Sequence, residues 1–218
     1  MDHPQSPGDL PDDGLDEAPL DPGAGLAIVA AQQRRVRDSD VDDRLLFGAW
    51  GSAWAVGYAV QWWSATAAGS RTATGVGGLA FVAVTAAALV VTLVHTARAT
   101  RGVAGASREV GRMYGIAWGI GFAGQGLLVM GVARAGASPE VIAIVANGAA
   151  CLVVGLMYMA GGALWRQRAL YLIGAWMIAT AAVASIVAMP GGYLVMAVAG
   201  GGGLLSGAVV TALYRRRA

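Results

Sequence analysis

Six long runs carry no Asp, Glu, Lys or Arg in their middles, and nothing else in the chain constrains its fold as strongly. They cover residues 45–67, 77–97, 113–133, 139–162, 170–189 and 192–214. A helix of about 20 apolar residues crosses a hydrocarbon core roughly 30 Å thick, so each run is long enough to span one. Hydrophobicity is unbroken and shows no period-two alternation, which predicts helices rather than a closed barrel. Over the whole chain 56% of residues are hydrophobic. The mean hydropathy of +0.59 is too high for an ordinary soluble domain. The expectation is an all-α membrane protein with six transmembrane helices in one domain, residues 45–218.

The basic residues orient it. All 15 are Arg. With loops assigned alternately, Arg34, Arg35, Arg37, Arg44, Arg98, Arg101, Arg108, Arg112, Arg166, Arg168, Arg215, Arg216 and Arg217 share one side, and only Arg71 and Arg134 take the other. Thirteen against two predicts a multi-pass plasma-membrane protein with both termini cytoplasmic. Aromatic anchors agree, with Phe47, Trp50, Trp165 and Trp176 toward the inner interface and Trp62, Trp63 and Tyr193 toward the outer.

Residues 1–25 hold seven acids and few large apolar groups, which predicts a disordered acidic tail. Residues 26–44 read as an amphipathic interfacial segment. Its Arg34, Arg35 and Arg37 would meet anionic lipids at the cytoplasmic face, at about 1 kcal/mol each. No secretory signal precedes the first apolar run near Leu45, so the first span is expected to direct insertion. The balance of charge implies no nucleic-acid partner. Cys151 stands alone in an apolar run, without a partner for a disulfide or a CxxC motif.

Chemistry-bearing patterns are few. Gly119, Gly121 and Gly124 match GxGxxG, but the glycines lie mid-span, without the preceding strand or the acid about twenty residues on that a dinucleotide site needs. These glycines, with Gly115xxxGly119 and Gly203xxxGly207, suit close helix approach within the bundle or in a homo-oligomer. His95 is the sole intramembrane imidazole and supplies neither paired haem ligands nor a metal cluster, so no cofactor is expected. Ser206 lacks an oriented base. With no set of acid, base and nucleophile, the chain is not expected to be an enzyme.

The charge-free spans also disfavour a proton-coupled carrier. What remains deep in the membrane is neutral and polar. Gln125 and Asn147 both fall roughly 11 to 12 Å below the outer face and are symmetric about the Gly136 turn, so they are expected to face each other. Trp118 and Tyr114 on one helix, and Cys151 and Tyr158 on the other, extend a partly polar seam. On the cytoplasmic side, residues 98–112 form the longest connection. They suit a short helix that presents Arg98, Arg101, Arg108 and Arg112 to headgroups or to a docking partner.

Arg44 before Trp50, Arg112 before Trp118 and Arg168 before Trp176 form a faint repeat, consistent with three successive helical hairpins. Inner helix ends that each need an Arg and an aromatic anchor explain it equally well. The segments GAWGSAWAVGY, ARAGASPEVIA, LVVGLMYMAGGALW and YLVMAVAGGGG resemble uncharacterised actinobacterial six-span membrane proteins often labelled permease-like. An interfacial first segment, six spans and a cytoplasmic loop after the second span are also similar to the small permeases of ABC-2 type exporters. The short 189–192 turn departs from that pattern, since those permeases carry extra helical elements between their last two spans. The resemblance implies a transport component that depends on a separate cytoplasmic ATPase. The alternative is a non-transporting membrane scaffold or regulator that acts through its tail and Arg-rich loops.

Overall fold

The computed structural model describes residues 23, 25–27, 42–101 and 106–217. The chain divides into two compact units, Met1–Asp40 and Val41–Ala218. In the first, residues 23 and 25–27 are helical. The rest of the expected tail and interfacial segment lies outside the described residues.

The second unit is all-helical among the described residues. Its elements are α1 (Asp43–Ala67), α2 (Gly75–Ala99), α3 (Ala106–Arg134), α4 (Pro139–Leu164), α5 (Arg168–Ile186), α6 (Gly191–Val195), a π-helical turn (Met196–Gly201) and α7 (Gly202–Arg217). The last three run on as one apolar helix, Gly191–Leu213. Local chemistry explains the starts. Asp42 caps α1 by accepting from the Arg44 amide, Thr74 caps α2 by accepting from Gly77, and Ser138 caps α4 by accepting from Val141. Pro139 and Glu140 then suit the first turn of α4, as the sequence predicts. The turns after α1 and α3 need left-handed backbone at Gly69 (φ 60°) and Gly136 (φ 83°), which glycine adopts without a Cβ clash.

Two boundaries correct the sequence reading. Among the described residues the 98–112 connection holds no separate helix, because α3 already begins at Ala106. Arg108, Glu109 and Arg112 fall in its first two turns, where Glu109 faces the positive end of the helix dipole and pairs with Arg112. At the other boundary, α5 stops at Ile186 rather than Met189, since Val187 is already extended ahead of Pro190.

Five helices are long and apolar enough to cross a membrane: Gly75–Ala99, Arg108–Arg134, Pro139–Leu164, Arg168–Ile186 and Gly191–Leu213. Large apolar side chains cover their outer faces, with Ile186 85% and Val76 77% exposed. Such a surface suits lipid and would aggregate in water. The first helix is different. Its Trp, Tyr, Gln and Ser make α1 less apolar, yet it buries Phe47, Trp54, Tyr58, Gln61, Ser64 and Ala65. One face of α1 is thus shielded by its neighbours, while Leu45, Val56 and Trp63 stay exposed on another.

Each consecutive pair, α1 with α2, α3 with α4 and α5 with the last helix, lies in contact, and packing further sorts the helices into two groups. In one, α1 lies against α2 and the last helix. A Cβ on Gly201 would come within 2.5 Å of the Ala55 amide, one on Gly51 within 2.9 Å of the Leu205 amide, and one on Gly57 within 2.7 Å of the Phe81 ring. The Trp50 indole donates to Thr92 (2.9 Å). In the other group, α4 joins α5 backbone to backbone, with Gly155 and Gly174 in register and Gly162 against Tyr171, while α3 attaches to α4 alone. These α4 glycines lie seven residues apart, two turns of a helix crossing its neighbour at a shallow angle. By contrast, Gly115 and Gly119 face open space, so the GxxxG pair of α3 makes no close approach within the chain. Gly203 and Gly207 do, against Trp176 and Ile173 of α5.

Candidate functional site: the seam between α1 and α4

The two groups meet along two lines. On one, α5 packs directly against the last helix. Gly192 sits against the Ala184 carbonyl and Gly203 against the Trp176 ring, whose indole N–H donates to the Ala199 carbonyl (2.9 Å). On the other, α1 and α4 lack that backbone contact, and long side chains bridge them.

Near the Asp42 end of the bundle, Phe47 of α1 meets Tyr158 of α4 edge-on, with ring centroids 5.7 Å apart. Halfway along, the Tyr58 hydroxyl donates to Asn147 Oδ1 (3.1 Å). At the opposite end, Arg71 in the α1–α2 turn pairs with Glu140 in the first turn of α4 (Nε to Oε2, 2.9 Å). Tyr58 is itself buried among Trp54, Phe81 and Tyr193, with ring centroids 4.7 to 6.4 Å away.

The expected polar seam is present with a change of partners. Tyr114, Trp118 and Tyr158 form one chain of edge-on aromatic contacts, and the Tyr114 hydroxyl donates to the Met157 carbonyl (2.8 Å). Gln125 and Asn147, however, do not bond to each other. The Gln125 amide donates to the Ala146 carbonyl (3.2 Å), and Asn147, about 100° further round α4, is turned toward Tyr58 of α1. Symmetry about a turn fixes depth but not the direction in which a side chain points.

Sequence reasoning missed Tyr58 and Gln61. Gln61 lies on the same face of α1 as Phe47, Trp54 and Tyr58 and is 8% exposed. Its side-chain amide has no hydrogen-bond partner among the described residues. The second amide of the seam is also underused, since Asn147 accepts from Tyr58 while its Nδ2 makes no bond among the described residues. A void of about 10 Å³, room for about one water, lies beside Asn147 and is lined also by Ser185, Met189 and Met196. The signal was available: Gln61 is the one amide in the first apolar run, three residues from a Tyr.

Other candidates resolve simply. His95 Nε2 accepts the Asp42 amide (2.9 Å), which ties the start of α1 to the end of α2. Beside it, the Arg44 guanidinium donates to the Asp42 carboxylate, and these hydrogen bonds, reinforced by the carboxylate's charge, push the guanidinium up from its ordinary value. Ser206 donates to the Gly202 carbonyl one turn back, with no base beside it. Gly119 and Gly124 are helical and open. Cys151 is fully buried and donates to the Met177 carbonyl. Arg98, Arg101, Arg108 and Arg112 are all exposed, with Arg112 held by Glu109 (2.7 Å).

The site is thus neutral, aromatic and amide-rich, enclosed by apolar helices. It suits hydrogen bonding to an uncharged polar group and offers no charge for proton or ion coupling. No known protein family, curated protein or solved structure matches this chain.

Proposed function

We infer that the chain is a six-span plasma-membrane protein with both termini cytoplasmic. In this reading it is a permease-like transport component that depends on a separate cytoplasmic partner, such as an ATPase. The observation that carries this is the seam: the part-buried Asn147 accepts from the buried Tyr58 between two helix groups that side chains bridge there, and Gln61 is buried on the same face of α1 as Tyr58. Polar groups within apolar spans are costly unless they serve a pathway or an interhelical bond, and Tyr58–Asn147 is such a bond across the seam. At 25 residues, or roughly 37 Å at 1.5 Å per residue, α1 is long enough to be the sixth span. Its polar side chains are tolerated because the neighbouring helices, not lipid, surround them. Energy would have to come from outside, since the spans carry no charged relay. The exposed Arg98, Arg101 and Arg108 offer a docking surface for an acidic partner.

The test is affinity purification from the native membrane, followed by export assays in cells with the gene deleted. A cytoplasmic ATPase should co-purify, and export of at least one lipid or drug should fall on deletion. Export should also fall when Gln61→Leu and Asn147→Leu are combined. Purification with no ATPase, together with unchanged export, overturns the reading. Loss of function on deleting residues 1–25 from an otherwise folded chain would favour the scaffold instead.

A further inference from the structure

Among the described residues there are three ion pairs, and only one joins distant parts of the chain. Arg44 reaches back two residues to Asp42, and Arg112 reaches back three to Glu109. Arg71 alone crosses from one helix group to the other, from the α1–α2 turn to Glu140 of α4. Its location is specific. Along the line between α5 and the last helix, glycines bring backbone and rings together, and the short connection through Val187 and Pro190 keeps the groups together. On the α1–α4 line no glycine contact is present, and the bridges from one end to the other are Phe47–Tyr158, Tyr58–Asn147 and Arg71–Glu140. The bundle is therefore fixed along one edge and pinned by side chains along the other. Of the three pins, only the ion pair has an exposed partner, with the Arg71 side chain 64% and the Glu140 side chain 28% exposed.

We propose that Arg71–Glu140 is a latch: it closes the seam at that end of the bundle, and its release lets α1 and α4 part and uncovers the Tyr58–Asn147 pair beneath. An exposed pair is suited to this because it holds a closed state without locking it. The groups it covers have unspent hydrogen-bonding capacity, so an opened seam has donors and acceptors ready for water or a polar solute. The latch follows from packing alone and does not rest on the transport reading.

The protein contains its own reporter. Cys151 is the single cysteine, lies one turn along α4 from Asn147, is 0% exposed, and donates to the Met177 carbonyl. The experiment measures the rate at which N-ethylmaleimide modifies Cys151 in the full chain in lipid nanodiscs, where both faces are accessible. The chains compared are wild type, Arg71→Ala, Glu140→Ala and the reversed pair Arg71→Glu with Glu140→Arg. The control is Arg134→Ala, which removes an exposed Arg from the same end that has no ion pair among the described residues. Losing an exposed ion pair shifts an opening equilibrium by about two- to fivefold, and each single latch variant is expected to speed labelling by that factor. The reversed pair returns to the wild-type rate, and Arg134→Ala stays there. Equal rates in all chains, no labelling in any of them, an equal rise in Arg134→Ala, or a reversed pair faster than either single variant overturns the latch. The reversed pair keeps the test decisive should a single variant fold poorly.

Discussion

Gly119 and Gly155 both sit mid-helix in apolar runs, yet they have opposite roles. A Cβ on Gly155 would lie 2.8 Å from the Gly174 carbonyl and 2.6 Å from Ile178, whereas one on Gly119 meets nothing within 4 Å. Gly155→Ala is therefore expected to destabilise the bundle by about 1–3 kcal/mol, because the obstruction includes backbone. Gly119→Ala should stay within about 0.5 kcal/mol of wild type. Reversible unfolding by SDS in mixed micelles measures both, and equal losses would disprove the packing assignment. Four-residue spacing drew attention to α3, while the glycines that bring α4 onto α5 recur every seven. The residue-level seam was legible in part for a related reason: depth follows from counting residues, so Gln125, Asn147 and Tyr158 were found. Direction depends on which helix arrives opposite, so Tyr58 and Gln61 were not.

Helix limits followed closely from caps and turn residues at Ser138, Gly136 and Pro190. The π-helical turn in the last helix did not, since nothing in MAVAGG marks it locally. It lies where Gly200 and Gly201 receive Trp54 and the Ala55 backbone, and where the Trp176 indole bonds to Ala199. Tertiary contact thus accompanies a wider helical turn, as is common for such turns near sites of function. Trp176→Phe keeps most of the ring but removes the donor. It should cost about 0.6 kcal/mol, the typical worth of an interhelical hydrogen bond in a bilayer. The same micelle unfolding checks this, and a loss above roughly 2 kcal/mol would mean that ring packing on Gly203, not the hydrogen bond, dominates.

The molecule as a whole turns the polar face of α1 inward and leaves large apolar side chains on its outer faces. Sequence hydropathy ranks α1 low for the reason that the fold needs it: Tyr58, Gln61 and Ser64 face other helices rather than lipid. Arg placement predicts that alkaline phosphatase fused after residue 218 is inactive and that the same enzyme inserted at Gly136 is active; the reverse pattern would overturn the cytoplasmic assignment of the termini. The inward polar face of α1 has a further consequence for biogenesis. The ribosome delivers this helix to the translocon before any of the helices that will shield it. Alone it is a poor substrate for lateral release into lipid, so it must wait at the channel, or lie at the interface, until α2 and later helices arrive. Glycosylation mapping of a chain truncated after Thr100 should therefore show α1 only partly inserted, with Gln61→Leu raising the inserted fraction. The helix at 191–213 thus completes the burial of α1 only after every helix between them has been made.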